Sequence, residues 1–270
     1  MAVRFGAAQM SCQNERDENL VRVASVCARA AAEGMGVLLL PENFAYMGKE
    51  EGKRAIAETL DAERPGPILT TLLDQARQHR LWLIGGGMPE RSDDPERPYN
   101  SCVVVAPEGR LHTVYRKIHL FDVELGDGAE YRESKATMPG REPLATDIAG
   151  LRVGLSVCYD LRFPELYRAL ADQGAEVLVV PAAFTLATGK DHWHVLLRAR
   201  AIESQCYVVA AAQWGRHGPR TTYGKSCIID PWGEIVAQAS EGEGLTFASL
   251  DRDYVAAVRA KVPSLRHRVL

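Results

Sequence analysis

Short apolar runs alternate along the chain with stretches in which apolar residues recur every three or four positions. In the first such stretch, Leu20, Val23 and Cys27 lie on one face of a helix. The runs at 37–40 and 151–157 are short and continuously apolar, which is typical of buried strands. The pattern therefore predicts a fold of the α/β class.

The same elements recur in two halves of the chain. Each half has an apolar run followed by a proline and a phenylalanine at equal offsets, and later a strand, a Pro-x-Gly turn and a second strand. No linker-like segment separates the halves. We therefore predict one domain over residues 1–270, with two β-rich half-units packed sheet on sheet and helices outside. The matched segments, in the same order in both halves, are 5–10 with 153–158, 37–44 with 177–184, and 101–111 with 226–235.

The composition limits the classes of protein to which the chain can belong. The 270 residues carry a formal net charge of -3, which gives no reason to expect a nucleic acid or an anionic membrane as partner. The apolar runs are too short to span a membrane, and the first residues lack the basic flank and apolar stretch of a signal peptide. The 6 cysteines show no Cys-x-x-Cys spacing, so we expect reduced thiols and a cytoplasmic protein.

Cys158 stands where the apolar run 151–157 ends and a helical pattern begins. A thiol at such an elbow is held at the edge of a sheet, with the following backbone amides free to bind an anion. Taken alone, a cysteine at the end of a buried strand is most often a small apolar core residue. Its polar neighbours Tyr159, Asp160 and Arg162 favour a cleft and a nucleophilic role instead.

Glu42 and Lys117 also stand where β-type runs end, and alone each is an ordinary solvated residue. Across facing sheets from Cys158, Glu42 would be desolvated and able to take the thiol proton. Lys117 would stabilise the oxyanion of a tetrahedral intermediate with the Tyr159 amide, and Glu133 would pair with Lys117 or orient the substrate. The combination predicts a cysteine hydrolase that uses a carboxylate base and a lysine.

Other chemistries have weaker support. His192 and His194 lack a further cysteine or histidine at metal-ligand spacing, so no metal is expected. The glycines at 85–87 have neither a dinucleotide-binding pattern nor a P-loop lysine and are interpreted as a tight turn. The sequence has no Gly-x-Ser-x-Gly elbow, which argues against a serine hydrolase.

Three separated motifs are together highly specific. They are Leu-Pro-Glu-Asn-Phe at 40–44, Tyr-Arg-Lys-Ile-His-Leu-Phe-Asp at 115–122 and Gly-Leu-Ser-Val-Cys-Tyr-Asp-Leu-Arg-Phe-Pro-Glu at 154–165. On these motifs the chain resembles the nitrilase superfamily of carbon–nitrogen hydrolases, from its first strand through Pro263. The resemblance implies a four-layer α-β-β-α sandwich with an internal pseudo-twofold duplication, and an enzyme that needs no cofactor.

The resemblance also implies a role for each residue of the candidate site. Glu42 is the general base, Lys117 the oxyanion-stabilising lysine and Cys158 the nucleophile. The glutamate that assists them falls on Glu133, with Glu124 as its rival.

Within the superfamily, the chain is most similar to the branch that contains deaminated glutathione amidase and ω-amidase. Segments 133–140, 188–194 and 197–217 carry this likeness, although His194 stands where an acidic residue is common. The expected reaction is hydrolysis of deaminated glutathione to 2-oxoglutarate and cysteinylglycine. The alternatives are ω-amidase activity on 2-oxoglutaramate, an N-carbamoyl amino acid amidohydrolase, and a non-catalytic scaffold.

The substrate is expected to be a small amide that is anionic at both ends. Arg162 is the first candidate to bind a carboxylate, with Arg198 and Arg216 as weaker ones. Family resemblance further implies a homodimer or larger homo-oligomer, formed through the helix around 166–170 and the C-terminal tail at about 255–270. The predicted substrate-binding residues are Tyr46, Tyr159, Asp160, Arg162, Phe184 and Thr185.

Overall fold

The computed structural model describes residues 2–125 and 129–269. Its strands are β1 (Val3–Gln9), β2 (Val37–Leu39), β3 (Trp82–Glu90), β4 (Tyr99–Ala106), β5 (Arg110–Arg116), β6 (Asp122–Leu125), β7 (Ala129–Arg132), β8 (Leu144–Ile148), β9 (Leu151–Leu155), β10 (Val177–Ala182), β11 (Tyr207–Ala212), β12 (Trp214–His217), β13 (Arg220–Tyr223), β14 (Cys227–Ile229), β15 (Ile235–Gln238) and β16 (Gly244–Leu250). Its α-helices are α1 (Arg16–Ala32), α2 (Glu50–Ala55), α3 (Pro67–His79), α4 (Pro164–Asp172), α5 (Leu186–Ser204) and α6 (Arg252–Lys261).

The strands form two large sheets with the same internal plan. One sheet has the order β16-β1-β2-β3-β4-β5 and the other the order β15-β14-β11-β10-β9-β8. In each sheet three neighbouring strands are parallel, and antiparallel strands flank them on both sides. Parallel strands buried on both faces need continuously apolar sequence, which explains the runs that mark β2 and β10.

Alternate residues of the first sheet belong to different cores, as the period of two in a strand requires. Val37 and Leu39 pack in a core shared with the second sheet, whereas Leu38 packs with helices α1 and α3. Helices α4 and α5 cover the opposite face of the second sheet, and Trp193 is their largest fully buried side chain. The predicted four-layer α-β-β-α sandwich is therefore confirmed, as is the helix predicted around Val23.

The predicted internal duplication appears as equivalent strands. β1, β2, β4 and β5 of the first half occupy the places of β9, β10, β14 and β15 in the second half. Both predicted hairpins are present, with Gly109 at φ +71 and Gly233 at φ +95 in their turns. β16 of the second half crosses over to pair with β1, while β8 takes the matching place beside β9.

One prediction about local structure is wrong. The glycines at 85–87 lie inside strand β3 instead of forming a turn, and the register with β4 shifts between Gly85 and Met88. Leu166 and Leu170 of α4 are 4% and 0% exposed, so these two side chains pack in the core, and an interface formed by this helix stays a prediction. Among the described residues, no helix is both long and apolar enough to cross a membrane.

Gly86 lies where the two sheets come close together, and this yields a prediction about stability. A Cβ on Gly86 would lie 2.1 Å from the Leu40 carbonyl oxygen and 2.3 Å from Pro181 Cβ of the second sheet. We expect Gly86→Ala to lower the free energy of unfolding by about 2 kcal/mol or more, because backbone must move to admit the methyl group. Urea denaturation followed by circular dichroism measures the change.

Gly244→Ala is the matched control, since a Cβ there meets no atom within 4 Å. A Gly86→Ala protein with the unfolding midpoint of the control would contradict this account of the sheet interface.

Candidate active site

The predicted catalytic side chains come together where strands of both sheets end. Glu42 follows β2 and Lys117 follows β5, so both stand at the same edge of the first sheet. Cys158 begins a short 3-10 turn that follows β9 of the second sheet, and Glu133 begins another after β7. Positions far apart in sequence thus line one cleft because the two sheets face each other.

Lys117 is the centre of a buried charge cluster. Its Nζ donates to Glu42 Oε1 at 3.0 Å and to the two carboxylate oxygens of Glu133 at 3.0 and 2.8 Å. The side chains of Lys117 and Glu42 are 2% and 5% exposed. Glu124 instead forms an ion pair with Arg132, with 73% of its side chain exposed. Of the two candidates for the assisting glutamate, Glu133 therefore contacts Lys117 and Glu124 does not.

Groups that the sequence did not single out hold the two carboxylates. Asn100 Nδ2 donates to Glu42 Oε1 at 2.9 Å, and Gln213 Nε2 donates to the Glu42 carbonyl oxygen at 3.0 Å. The Phe121 amide donates to Glu133 Oε2 at 2.7 Å. Asn100 is the second residue of β4 and Gln213 follows β11, and only the fold reveals their contacts.

The environment of Cys158 keeps its sulfur protonated at neutral pH. Burial and the nearby Glu42 carboxylate raise the thiol pKa well above its ordinary value, against the opposing effects of Lys117 and the Ala183 backbone amide. Attack on a carbonyl therefore requires a base that takes the thiol proton, because the thiolate is the nucleophilic form. Glu42 is the carboxylate whose position and charge suit that task.

Lys117 stays charged within the cluster. Burial acts to lower its pKa, but the carboxylates of Glu133 and Glu42 hold that pKa well above the usual value for lysine. Burial acts to raise the pKa of Glu133, yet Lys117 and Lys53 bring it below the usual value. An ammonium fixed beside the thiol can stabilise negative charge that develops on a carbonyl oxygen.

The Asp160 carboxylate binds backbone amides beside Cys158 and does not face the cleft. This carboxylate is 0% exposed and accepts hydrogen bonds from the Tyr115 hydroxyl at 2.7 Å, the His119 amide at 3.0 Å and the Val157 amide at 2.9 Å. The expectation that Asp160 binds substrate is therefore corrected to a positioning role. These bonds hold the turn on which Cys158 takes a left-handed φ of 49.

The cleft above the charge cluster has a volume of about 900 Å³, with the solvent at its mouth included. Of the predicted binding residues, Tyr159, Arg162, Phe184 and Thr185 line it. Arg162 lies 5.4 Å from the centre of the Phe184 ring, and its guanidinium is 3.3 Å from His192 Nδ1. The cleft can therefore place a cation over an apolar wall beside the thiol.

Three other predicted residues lie outside this lining. Tyr46 lines a neighbouring cavity, while Arg198 and Arg216 donate to the carbonyl oxygens of Gly233 and Gly218. The prediction that either arginine binds a substrate carboxylate is corrected accordingly. No group of three metal-ligating side chains occurs in the part of the chain that the structure describes.

Several lining residues were missed from sequence. Lys53 and Arg220 read as surface cations, and Tyr131 as a residue of an irregular segment. Nothing in their local pattern separates them from solvated positions. Lys53 reaches the cleft from α2, Arg220 from the β12–β13 hairpin and Tyr131 from β7.

The same architecture characterises a known enzyme family. A family model described as carbon–nitrogen hydrolase matches residues 4–260. The chain belongs to the carbon–nitrogen hydrolase family. Members of this family are amidases that act on small-molecule amides, and this protein is accordingly an enzyme that hydrolyses carbon–nitrogen bonds.

Individual carbon–nitrogen hydrolases resemble the chain over most of its length. A deaminated glutathione amidase of Synechocystis sp. is 44% identical over 267 residues, covering 97% of each chain. The deaminated glutathione amidase of Homo sapiens is 44% identical, covering 96% of this chain and 80% of its own. The crystal structure of the C. elegans NitFhit protein has a TM-score of 0.92 and 37% identity, and this chain spans 65% of that protein.

The pKa of Cys158 predicts how this carbon–nitrogen hydrolase reacts with iodoacetamide. We expect the rate of alkylation at Cys158 to keep rising past the ordinary thiol pKa of 9.0, because burial and Glu42 raise its own pKa. Peptide mass spectrometry after timed labelling at each pH measures the rate. The other cysteines are 0% exposed, and Cys158→Ala should therefore remove the labelling. A rate that is already constant below about pH 8 would contradict the raised pKa.

The hydrogen bonds of Asp160 predict how its substitution changes catalysis. We expect Asp160→Asn to lower kcat roughly 10- to 100-fold with little change in KM, because its amide nitrogen would face backbone donors and displace the Cys158 turn. Steady-state kinetics on an amide substrate checks the split. Asp147→Asn is the control, since its side chain is 75% exposed and its pairing is with Arg152. Equal kinetics for the two variants would remove the positioning role.

Proposed function

We propose that this carbon–nitrogen hydrolase cleaves the amide bond of deaminated glutathione and releases 2-oxoglutarate and cysteinylglycine. The observation that carries the proposal is the buried Lys117 between Glu42 and Glu133, beside the Cys158 thiol. The substrate is suggested by the name of the relatives that are 44% identical over nearly the whole chain. A dianionic substrate also suits a cleft that is lined by Lys53, Arg162 and other cations.

In the proposed first step, Cys158 Sγ attacks the carbonyl carbon of the amide as Glu42 takes the thiol proton. The carbonyl oxygen becomes an oxyanion, which the Lys117 ammonium and the Tyr159 amide stabilise. Glu133 holds Lys117 in place through both carboxylate oxygens. The intermediate collapses when the carbon–nitrogen bond breaks and Glu42 returns the proton to the departing amine.

The second step removes the acyl group from sulfur. Glu42, again a carboxylate, takes a proton from water as the water oxygen attacks the thioester carbon. A second oxyanion forms at the same site and collapses with cleavage of the carbon–sulfur bond. The proton on Glu42 passes to the Cys158 sulfur, which restores the enzyme and releases 2-oxoglutarate.

Arg162 is proposed to bind the carboxylate of the 2-oxo acid. It stands on the turn that carries Cys158, lies against the Phe184 ring and lines the cleft, where a guanidinium can pair with a carboxylate. Tyr159 and Thr185 complete the wall around that end of the substrate.

We also propose that the protein is cytoplasmic, folds as one domain and forms a homodimer. The dimer proposal is supported by apolar side chains that α5 and the β14–β15 hairpin present to solvent. Val195 is 68% exposed, Ile202 is 50% exposed and Val236 is 49% exposed. The C-terminal tail at about 255–270, where Val262 is 44% exposed, adjoins this proposed interface.

The deciding experiment compares kcat/KM for deaminated glutathione and for 2-oxoglutaramate. We expect a preference of about tenfold or more for deaminated glutathione, equivalent to about 1.4 kcal/mol of transition-state binding. The reverse preference would make 2-oxoglutaramate the substrate and leave the chemistry unchanged.

Variants test the chemistry separately. Cys158→Ala should abolish turnover, and Glu42→Gln or Lys117→Met should lower kcat about 100-fold or more, as loss of a general base or an oxyanion donor does. Turnover that survives in Cys158→Ala would overturn the mechanism.

A further inference from the structure

A second cavity adjoins the catalytic cleft. Its volume is about 1150 Å³, open solvent included, and it shares Met47 and Arg220 with the cleft. Segments from three places in the chain wall it, at 13–14, 46–52 and 217–220. A ligand that fills the cleft can therefore extend past Arg220 into a second space.

Arg220 stands at the junction of the two cavities, and no carboxylate among residues 2–125 and 129–269 forms an ion pair with it. Its guanidinium lies 5.4 Å from the centre of the Tyr131 ring. This is the one side-chain interaction that Arg220 makes with residues 2–125 and 129–269. A guanidinium that stacks on a ring keeps its in-plane N–H donors available for a carboxylate. The other arginine considered for the substrate, Arg162, touches only the first cleft.

The wall that carries Arg220 is anchored to the first sheet's side of the molecule. Arg220 is paired with His217 across the β12–β13 hairpin. His217 Nδ1 lies 2.6 Å from the Cys12 carbonyl oxygen, and its Nε2 lies 2.8 Å from Thr222 Oγ1. Burial lowers the pKa of His217, so it is a neutral anchor and adds no charge of its own.

The charge of the second cavity favours an anion. Its charged side chains are Arg220, Lys49 and Glu51, and the latter two lie exposed at the rim. Gln13, Asn14 and Tyr46 are uncharged polar residues of the same lining. A small chain that ends in a carboxylate suits such a cavity better than an apolar or cationic one.

We propose that the second cavity binds the amine portion of the substrate, a dipeptide, and that Arg220 pairs with its terminal carboxylate. This inference rests on the proposed function. Two extended residues span about 7 Å, so the carboxylate of cysteinylglycine lies well beyond the bond that Cys158 attacks. An amide whose leaving group is ammonia leaves the cavity unused, and Arg220 is thus a specificity residue for peptide-like leaving groups.

The kinetic test changes both the terminal carboxylate of the substrate and Arg220. Deaminated glutathione and its glycinamide, in which the terminal carboxylate is an amide, are compared in the wild type and in Arg220→Met. We expect the wild type to favour the free acid about 10- to 100-fold in kcat/KM, chiefly through KM, as loss of a charged hydrogen bond implies. Arg220→Met should lose the preference for the free acid and keep its activity on 2-oxoglutaramate. Arg220→Lys should recover part of the preference for the free acid.

Arg216→Met is the matched control, because Arg216 lies on the same hairpin, is exposed and touches neither cavity. It should keep the wild-type preference. Equal losses for the acid and the glycinamide in Arg220→Met, or a wild type with no preference, would overturn the assignment.

A binding measurement separates this inference from the proposed function. Calorimetry with cysteinylglycine and cysteinylglycinamide needs no turnover, and we expect the wild type to bind the acid more tightly and Arg220→Met to bind both alike. Absence of turnover of deaminated glutathione with this binding preference retained would refute the proposed substrate alone. Turnover of deaminated glutathione without any preference between the two dipeptides would refute the role of Arg220 alone.

Discussion

A lysine ammonium that is 2% exposed between two carboxylates is the interaction on which the rest of the site depends. Removal of an ion from water costs several kcal/mol, and close partners must offset that cost. Lys117 has such partners in Glu42 and Glu133, each within 3.0 Å of its Nζ. Removal of either carboxylate would leave a buried charge uncompensated, so the cluster fixes the mutual position of all three groups.

The cluster also ties chemistry to the packing of the two sheets. Glu42 and Lys117 come from ends of strands in the first sheet, whereas Cys158 comes from the second. Within the first sheet, the lack of a side chain at Gly87 leaves room for Glu42. A Cβ on Gly87 would lie 2.7 Å from Asn100 Oδ1 and 3.2 Å from Glu42 Cγ.

The sequence was sufficient for the fold class and for the central residues of the site, for a physical reason. Glu42, Lys117 and Cys158 each stand where a predicted strand ends, so the strand pattern places them at sheet edges. The sequence could not locate Asn100 or Arg220, because their surroundings come from elements distant in the chain. It also misassigned Asp160, since proximity to a nucleophile does not reveal whether a carboxylate faces the cleft or the backbone beneath it.

The pairing of β16 with β1 determines when the first sheet can form during synthesis on the ribosome. β1 pairs along its whole length with β16, with Val3 opposite Leu250. During synthesis the edge of β1 must therefore remain open for on the order of ten seconds or more, until the last strand emerges. An open edge is a template for pairing with other chains. Until β16 is available, the nascent first half exposes the backbone donors and acceptors along that edge of β1, and only the pairing of β16 completes the first sheet.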